Sequence, residues 1–149
     1  MALIDVQALF SDKQVVTATA VSSNSYDTTA LRRNIGRAMQ RVRITTDVAA
    51  TAAGAATVTF ELIQADDAAL TTNVTTLAGS GAIGKAALTL GSAPFDVSIP
   101  DTTQRYIGVR YTVATGPLTA GTFTAAVVGE GGSGHQRQYG TAYPSPYVG

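Results

Sequence analysis

Among 149 residues the chain has no cysteine, no tryptophan and a single histidine. The missing cysteines exclude a disulfide scaffold and any thiolate metal site, and one histidine leaves too few soft ligands for a zinc or copper centre. No metal and no cofactor is therefore expected. Charge is also scarce: 13% of residues are charged, and ten Lys and Arg balance ten Asp and Glu. Such a chain carries no global field to hold nucleic acid or an anionic membrane, so neither partner is expected. Long apolar runs are lacking too. Thr, Asp, Arg or Gly interrupts every hydrophobic window well short of the ~20 residues a membrane span requires. The opening Met1 to Asp5 has no basic segment, and Asp5 and Asp12 break what would have to be the apolar part of a signal peptide. A soluble protein made in the cytoplasm is the expectation.

What is present is Ala and Thr, together roughly a third of the chain, with 15 glycines as punctuation. The recurring pattern is period two in β-branched and aromatic residues, bounded by Gly, Pro, Asn and Asp, which is the mark of strands. Gln14 to Val21 and Met39 to Thr46 read as strands, the second with Val42 and Ile44 on one face and Arg41 and Arg43 on the other. Thr57 to Gln64 is the clearest, with Val58, Phe60 and Leu62 inward. Asn73 to Ala78, Ala86 to Leu90 and Phe95 to Ile99 follow. Arg105 to Val113 points Ile107, Val109, Tyr111 and Val113 to one side, and Thr122 to Val128 does the same with Phe123, Ala125 and Val127.

About eight short strands separated by turn residues predict an all-β sandwich, a jelly roll before an immunoglobulin-like one. The Ala-rich stretch from Val48 to Ala56 reads as a flexible loop. Residues 14–130 form the sandwich in this reading. Residues 1–13 form an extended N-terminal arm whose Leu3, Ile4, Leu9 and Phe10 lie on a partner. Residues 131–149 read either as a disordered terminus or as an extended tail whose Tyr139, Tyr143 and Tyr147 anchor in a neighbouring subunit, since Tyr gives large contact area at low entropic cost.

No motif carries chemistry. The string from Gly79 to Ala86 matches a dinucleotide fingerprint at Gly79, Gly81 and Gly84 and nearly matches a phosphate loop at Gly84-Lys85. Both need a helix next, and Thr89, Gly91 and Pro94 leave no room for one; a magnesium-binding hydroxyl is also missing, because position 86 is Ala. A hairpin loop is expected instead. His135 lies in the Gly-rich tail without the rigid support a catalytic triad needs. Asp66 and Asp67 read as a turn, because adjacent residues on a strand would face opposite ways. No catalytic residue is expected and the protein is not read as an enzyme. The one charge asymmetry is Arg32, Arg33, Arg37, Arg41 and Arg43, five of the ten cations. It lacks the interleaved aromatics of a nucleic-acid platform and reads either as a solvated loop and outer strand face or as a group that pairs with carboxylates of a protein partner.

With these residues in view, the sequence resembles the tailed-phage capsid cement, or head decoration, proteins of a jelly-roll family. The resemblance lies in Ala2 to Gln14 running into Val15 to Ser22, in Thr57 to Leu62 followed by Asp66 to Leu70 and Thr76 to Ile83, and in Arg105 to Val113 continued by Thr119 to Val128. The segment 32–43 and the tail beyond Glu130 lie outside it. It implies a structural virion protein that binds the outer surface of a capsid as a small oligomer, dimer or trimer, and bridges neighbouring capsomers of the major capsid protein. The competing expectation is a carbohydrate- or host-surface-binding jelly-roll module, weakened by the absence of Trp and by non-tail tyrosines that sit in or near strands.

Overall fold

The computed structural model describes residues 9–28 and 40–129, and these form a β-sandwich of two antiparallel sheets. In chain order the strands are β1 (Leu9–Val15), β2 (Ala20–Val21), β3 (Tyr26–Asp27), β4 (Gln40–Thr51), β5 (Thr57–Ala65), β6 (Thr75–Gly84), β7 (Phe95–Ser98), β8 (Tyr106–Ala114) and β9 (Ala120–Gly129). Sheet A has the order β1-β9-β4-β7; sheet B has β2-β8-β5-β6, with β3 also paired to β8. Only β5 and β6 are a hairpin within one sheet. Most other connections carry the chain across the sandwich, so each sheet is assembled from distant segments.

Strand alternation places the core as the sequence reading expects. Val58, Phe60, Leu62, Ile107, Val109, Tyr111, Phe123 and Ala125 are fully buried between the sheets. At the centre, Phe60 meets the Phe123 ring edge-on with centroids 5.2 Å apart and the Tyr111 ring edge-on at 5.9 Å. Edge-to-face packing sets the positive edge of one ring against the negative face of another. The Tyr111 hydroxyl, buried in this cluster, donates to Ser11 Oγ at 2.9 Å, and Ser11 donates to Gln14 Oε1 at 2.7 Å. Gln14 Nε2 closes the chain on the Val21 carbonyl at 2.9 Å. One polar path thus ties β1 to β8 and β2 through the apolar interior.

Four expectations are corrected. Residues 9–13 are not arm but the first strand: β1 pairs with β9, and Phe10 is 1% exposed inside the main core. A partner cannot use Phe10, because its own sheets enclose it. The stretch from Val48 is not all loop, since β4 runs on to Thr51 and its ladder with β9 bends at register shifts after Thr46 and Val48. Gly79 to Gly81 is not a hairpin loop but a bulge inside β6. Thr59 faces Ala82 and Glu61 faces Gly79, so β6 holds one extra residue there. Ser80 Oγ accepts the Phe60 N–H at 3.0 Å, and Gly81 takes the bend at φ 74°. Residues 86–90 form no strand of their own. They begin as a three-residue 3-10 turn, Lys85–Ala87, and the chain then runs along β4 through Ala50 N–H to Leu88 O and Gly91 N–H to Thr46 O.

Candidate functional site

The outer faces of the two sheets are where a partner can act. On sheet B, Glu61 faces out from β5 and Arg110 from β8. Arg110 Nε and an Nη each donate to a different Glu61 oxygen at 2.9 Å, and Thr112 Oγ1 adds a third bond at 3.0 Å. Those donors, the guanidinium first, hold the Glu61 carboxyl below its ordinary pKa. These bonds tie the carboxylate to β8 of its own sheet. Arg105 grips Asp27 in the same forked manner, with bonds of 2.8 to 3.2 Å.

Beside this network the segment 66–74 folds over the sheet. Asp67 accepts the N–H groups of Thr71 and Thr72, both at 2.8 Å, and the Thr71 hydroxyl at 2.6 Å. Asp66 accepts from the side-chain amides of Asn73 and Gln104. Each carboxyl is held below its ordinary pKa, Asp66 chiefly by the Asn73 amide and Asp67 chiefly by the Thr71 hydroxyl. The two aspartates therefore fix a turn, as their sequence reading predicts. The turn delivers Leu70, in a left-handed conformation with φ 59°, onto Ile63 and Ala65, where it is 3% exposed. Gly108 makes room: a Cβ there would lie 2.3 Å from Leu70 Cδ1.

Sheet A is finished differently. Near one end Arg41 Nε contacts Asp96 Oδ1 at 2.6 Å, and Arg43 Nε lies 3.8 Å from Asp96 Oδ2. These two members of the arginine cluster share one carboxylate of their own chain. At the other end three apolar side chains are exposed: Val15 is 67% exposed, Val48 48% and Leu90 73%. Val15 and Val48 both pair with Thr122, from opposite sides of β9, so these two share one face with the buried Thr122 between them. Hydrogen bonds bracketing Val48 at Thr46 and Ala50 lay residues 88–92 along the free edge of β4, which puts Leu90 beside Val48.

Of the residues the sequence singles out for a partner, Leu9 lies on β1, half-buried and paired with Ala126, and Phe10 is core. Leu3, Ile4, Arg32, Arg33, Arg37, Tyr139, Tyr143 and Tyr147 lie outside the described residues. Val15, Val48 and Leu90 were not singled out. Their exposure depends on register and a bulge, which local pattern does not reveal. The string at Gly79 to Ala86 holds no phosphate cradle: Lys85 Nζ donates to the Ala52 carbonyl at 2.5 Å. No cluster of three or more His, Cys, Asp or Glu able to hold a metal occurs among the described residues. No helix there is long and apolar enough to cross a membrane.

Residues 10–127 match the Bbp16 family, a phage-related family, from inside β1 to near the end of β9. The chain belongs to the Bbp16 family. No curated protein matches it. The match to Bbp16 covers all of the sandwich but the first residue of β1 and the last two of β9, and it stops short of the tyrosine-bearing tail.

Proposed function

We propose that this Bbp16 protein is a capsid cement, or decoration, protein: a structural part of the virion that binds the outer surface of a phage head as a small oligomer and bridges neighbouring copies of the major capsid protein. The family match over residues 10–127 carries the reading. A jelly roll is the form of sandwich that supports it. With β2 and β3 taken as one interrupted strand, the first strand lies beside the last in sheet A and the second beside the second-last in sheet B. In this reading the two sheets are two Greek keys packed face to face, which make a rigid body. A ligand that binds only the assembled shell stabilises it by RT ln(1 + [L]/Kd) at every site, and an oligomer spanning capsomers adds effective concentration. No catalytic step, metal or cofactor enters this reading.

Co-sedimentation of the purified protein with undecorated heads, followed by heating, tests it. Saturable binding at a fixed ratio to the capsid protein, with genome release moved to higher temperature, is the expected result. Absence of binding by folded protein overturns the proposal and turns attention to glycan recognition by the same sandwich.

A further inference from the structure

The segment from Asp66 to Asn73 is a separate piece of the fold. Leu70, Ile63 and Ala65 form an apolar cluster of their own on the outer face of sheet B, edged by the partly buried Val21, Val74 and Tyr106, and none of these belongs to the inter-sheet core. The segment can therefore lift without opening that core. Its backbone is also strained: Leu70 at φ 59° and Asn73 at φ 50° lie in the left-handed region, which a leucine rarely adopts. Two carboxylates hold it down. Asp67 closes the turn through the bonds it accepts from Thr71 and Thr72, and Asp66 docks it through those it accepts from Asn73 and from Gln104 in the connection before β8. Gln104 adds a bond to the Asn73 carbonyl at 2.7 Å, and Ser25 one to the Ala68 carbonyl at 2.9 Å. Among the described residues no cation takes part. Of the elements around the turn, β2 and β6 carry no charge, Arg110 of β8 is bound to Glu61 of β5, and Arg105 is bound to Asp27 of β3. Asp101, in the same connection as Gln104, is exposed and like-charged, and Asp67 opposes the ionisation of Asp66. Tyr106 lends its ring to the cluster. Hydrogen-bond donors alone thus keep the two carboxylates in place.

We propose that the segment from Asp66 to Asn73 is an acid-released cover: it closes over Ile63 and Ala65 while both aspartates are ionised, and it lifts off, with the sandwich beneath intact, once they take up protons. A protonated carboxyl is a weaker acceptor and turns one of its oxygens into a donor, so the same event loosens the turn at Asp67 and its docking at Asp66. The closed form holds both carboxyls below their ordinary value of 3.8, and the open form does not. Closure is therefore complete well above pH 3.8 and is lost as pH falls through the closed-state values. Release also relieves Leu70 of its left-handed backbone. What it bares is an apolar patch made of Ile63, Ala65 and the hollow over Gly108 that Leu70 fills. The inference stands apart from the decoration reading and does not depend on it.

Amide hydrogen exchange of the full chain tests it, read at Leu70 and Thr72 in the cover and at Val109 and Tyr111 in the core, and corrected for the pH dependence of the exchange chemistry. Protection of the cover amides should fall by about tenfold or more between about pH 6 and about pH 2, while that of the core amides stays within about threefold. Asp66→Asn combined with Asp67→Asn should abolish the response of the cover to pH. Thr71→Val keeps the β-branched shape but deletes the hydroxyl that donates to Asp67. It should cut protection of the cover by about three- to tenfold at about pH 6 and leave it unchanged at about pH 2, where that bond is already lost. A merely structural part in the turn would show the same loss at both. Cover amides that keep their protection down to about pH 2, or lose it only together with the core amides, overturn the proposal. So does a pH response that survives in the double variant. Should that variant fail to fold, Thr71→Val decides alone, and an equal loss at both pH values overturns the cover.

Discussion

The two outer faces of this sandwich treat apolar surface in opposite ways. On sheet B the chain covers its own: the turn from Asp66 to Asn73 lays Leu70 over Ile63 and Ala65, and every charged group beside it is paired. On sheet A, Val15, Val48 and Leu90 stay open to solvent in a row across three neighbouring strands and the chain beside them. Exposed single hydrophobics are ordinary, but all three large ones among the described residues belong to β1, β4 and the segment bonded along β4. The chain folds a loop over one face, and no described residue covers these three on the other.

The contrast breaks most easily at Leu70. Leu70→Ala should cost about 2–3 kcal/mol of folding stability, the lower part of the core range because the site borders solvent and can relax. Gly108→Ala should cost about 1–3 kcal/mol through its collision with Leu70 Cδ1, 2.3 Å from the added methyl. Combining the two should cost less than their sum, since Leu70→Ala removes what the new methyl strikes. Denaturant unfolding measures all three. Additive costs would show that the loop does not rest on Gly108.

Beneath both faces lies the shared core, and Tyr111 reports on it through pH. Burial pushes its hydroxyl from the ordinary 10.0 up to about 12, against a smaller opposing effect of the Ser11 bond. The folded state therefore holds the proton more tightly than the unfolded one. The corresponding stability is complete below pH 10 and is lost as pH rises toward 12, on the order of 2–3 kcal/mol in all. Tyr111→Phe should remove that alkaline loss and cost about 1 kcal/mol at neutral pH for the missing bond. Glu61 works in the reverse sense. Arg110 holds its carboxyl below the ordinary value, so its contribution is present above about pH 4.5 and falls away as pH drops through the folded-state pKa. Glu61→Gln should cost about 1–2 kcal/mol at pH 7 and flatten the acid limb of a stability profile.

How far the sequence announces all this differs between the two regions as well. The inter-sheet core is legible because alternation is a local property: Val58, Phe60 and Leu62 point one way whatever lies beyond them. The outer faces are not, because they depend on irregularity. Leu70 looks like part of a turn until that turn is seen to fold back over Gly108. Val48 looks like loop until one extra residue in β4 is seen to turn it outward, and Leu90 carries a strand pattern yet serves as edging for β4. Phe10, read as a contact for a partner, has an apolar neighbourhood without alternation, since β1 is itself bulged between Leu9 and Gln14. Bulges hide both what is buried and what is bare.

The smallest expected effect on folding is the most discriminating. Val48→Thr keeps the β-branched shape and the strand preference while replacing a methyl by a hydroxyl on a side chain already 48% exposed. Folding stability should change by no more than ~0.5 kcal/mol, as at other surface sites without buried partners. A buried Val would not tolerate the same change, because the hydroxyl would lose water with no acceptor nearby. A loss well above that bound in the isolated chain, measured at concentrations too low for association, would mean that Val48 is packed against its own molecule and that the two faces are finished alike. A loss that appears only as concentration rises, in the opposite order, would place the packing between molecules and keep the faces distinct.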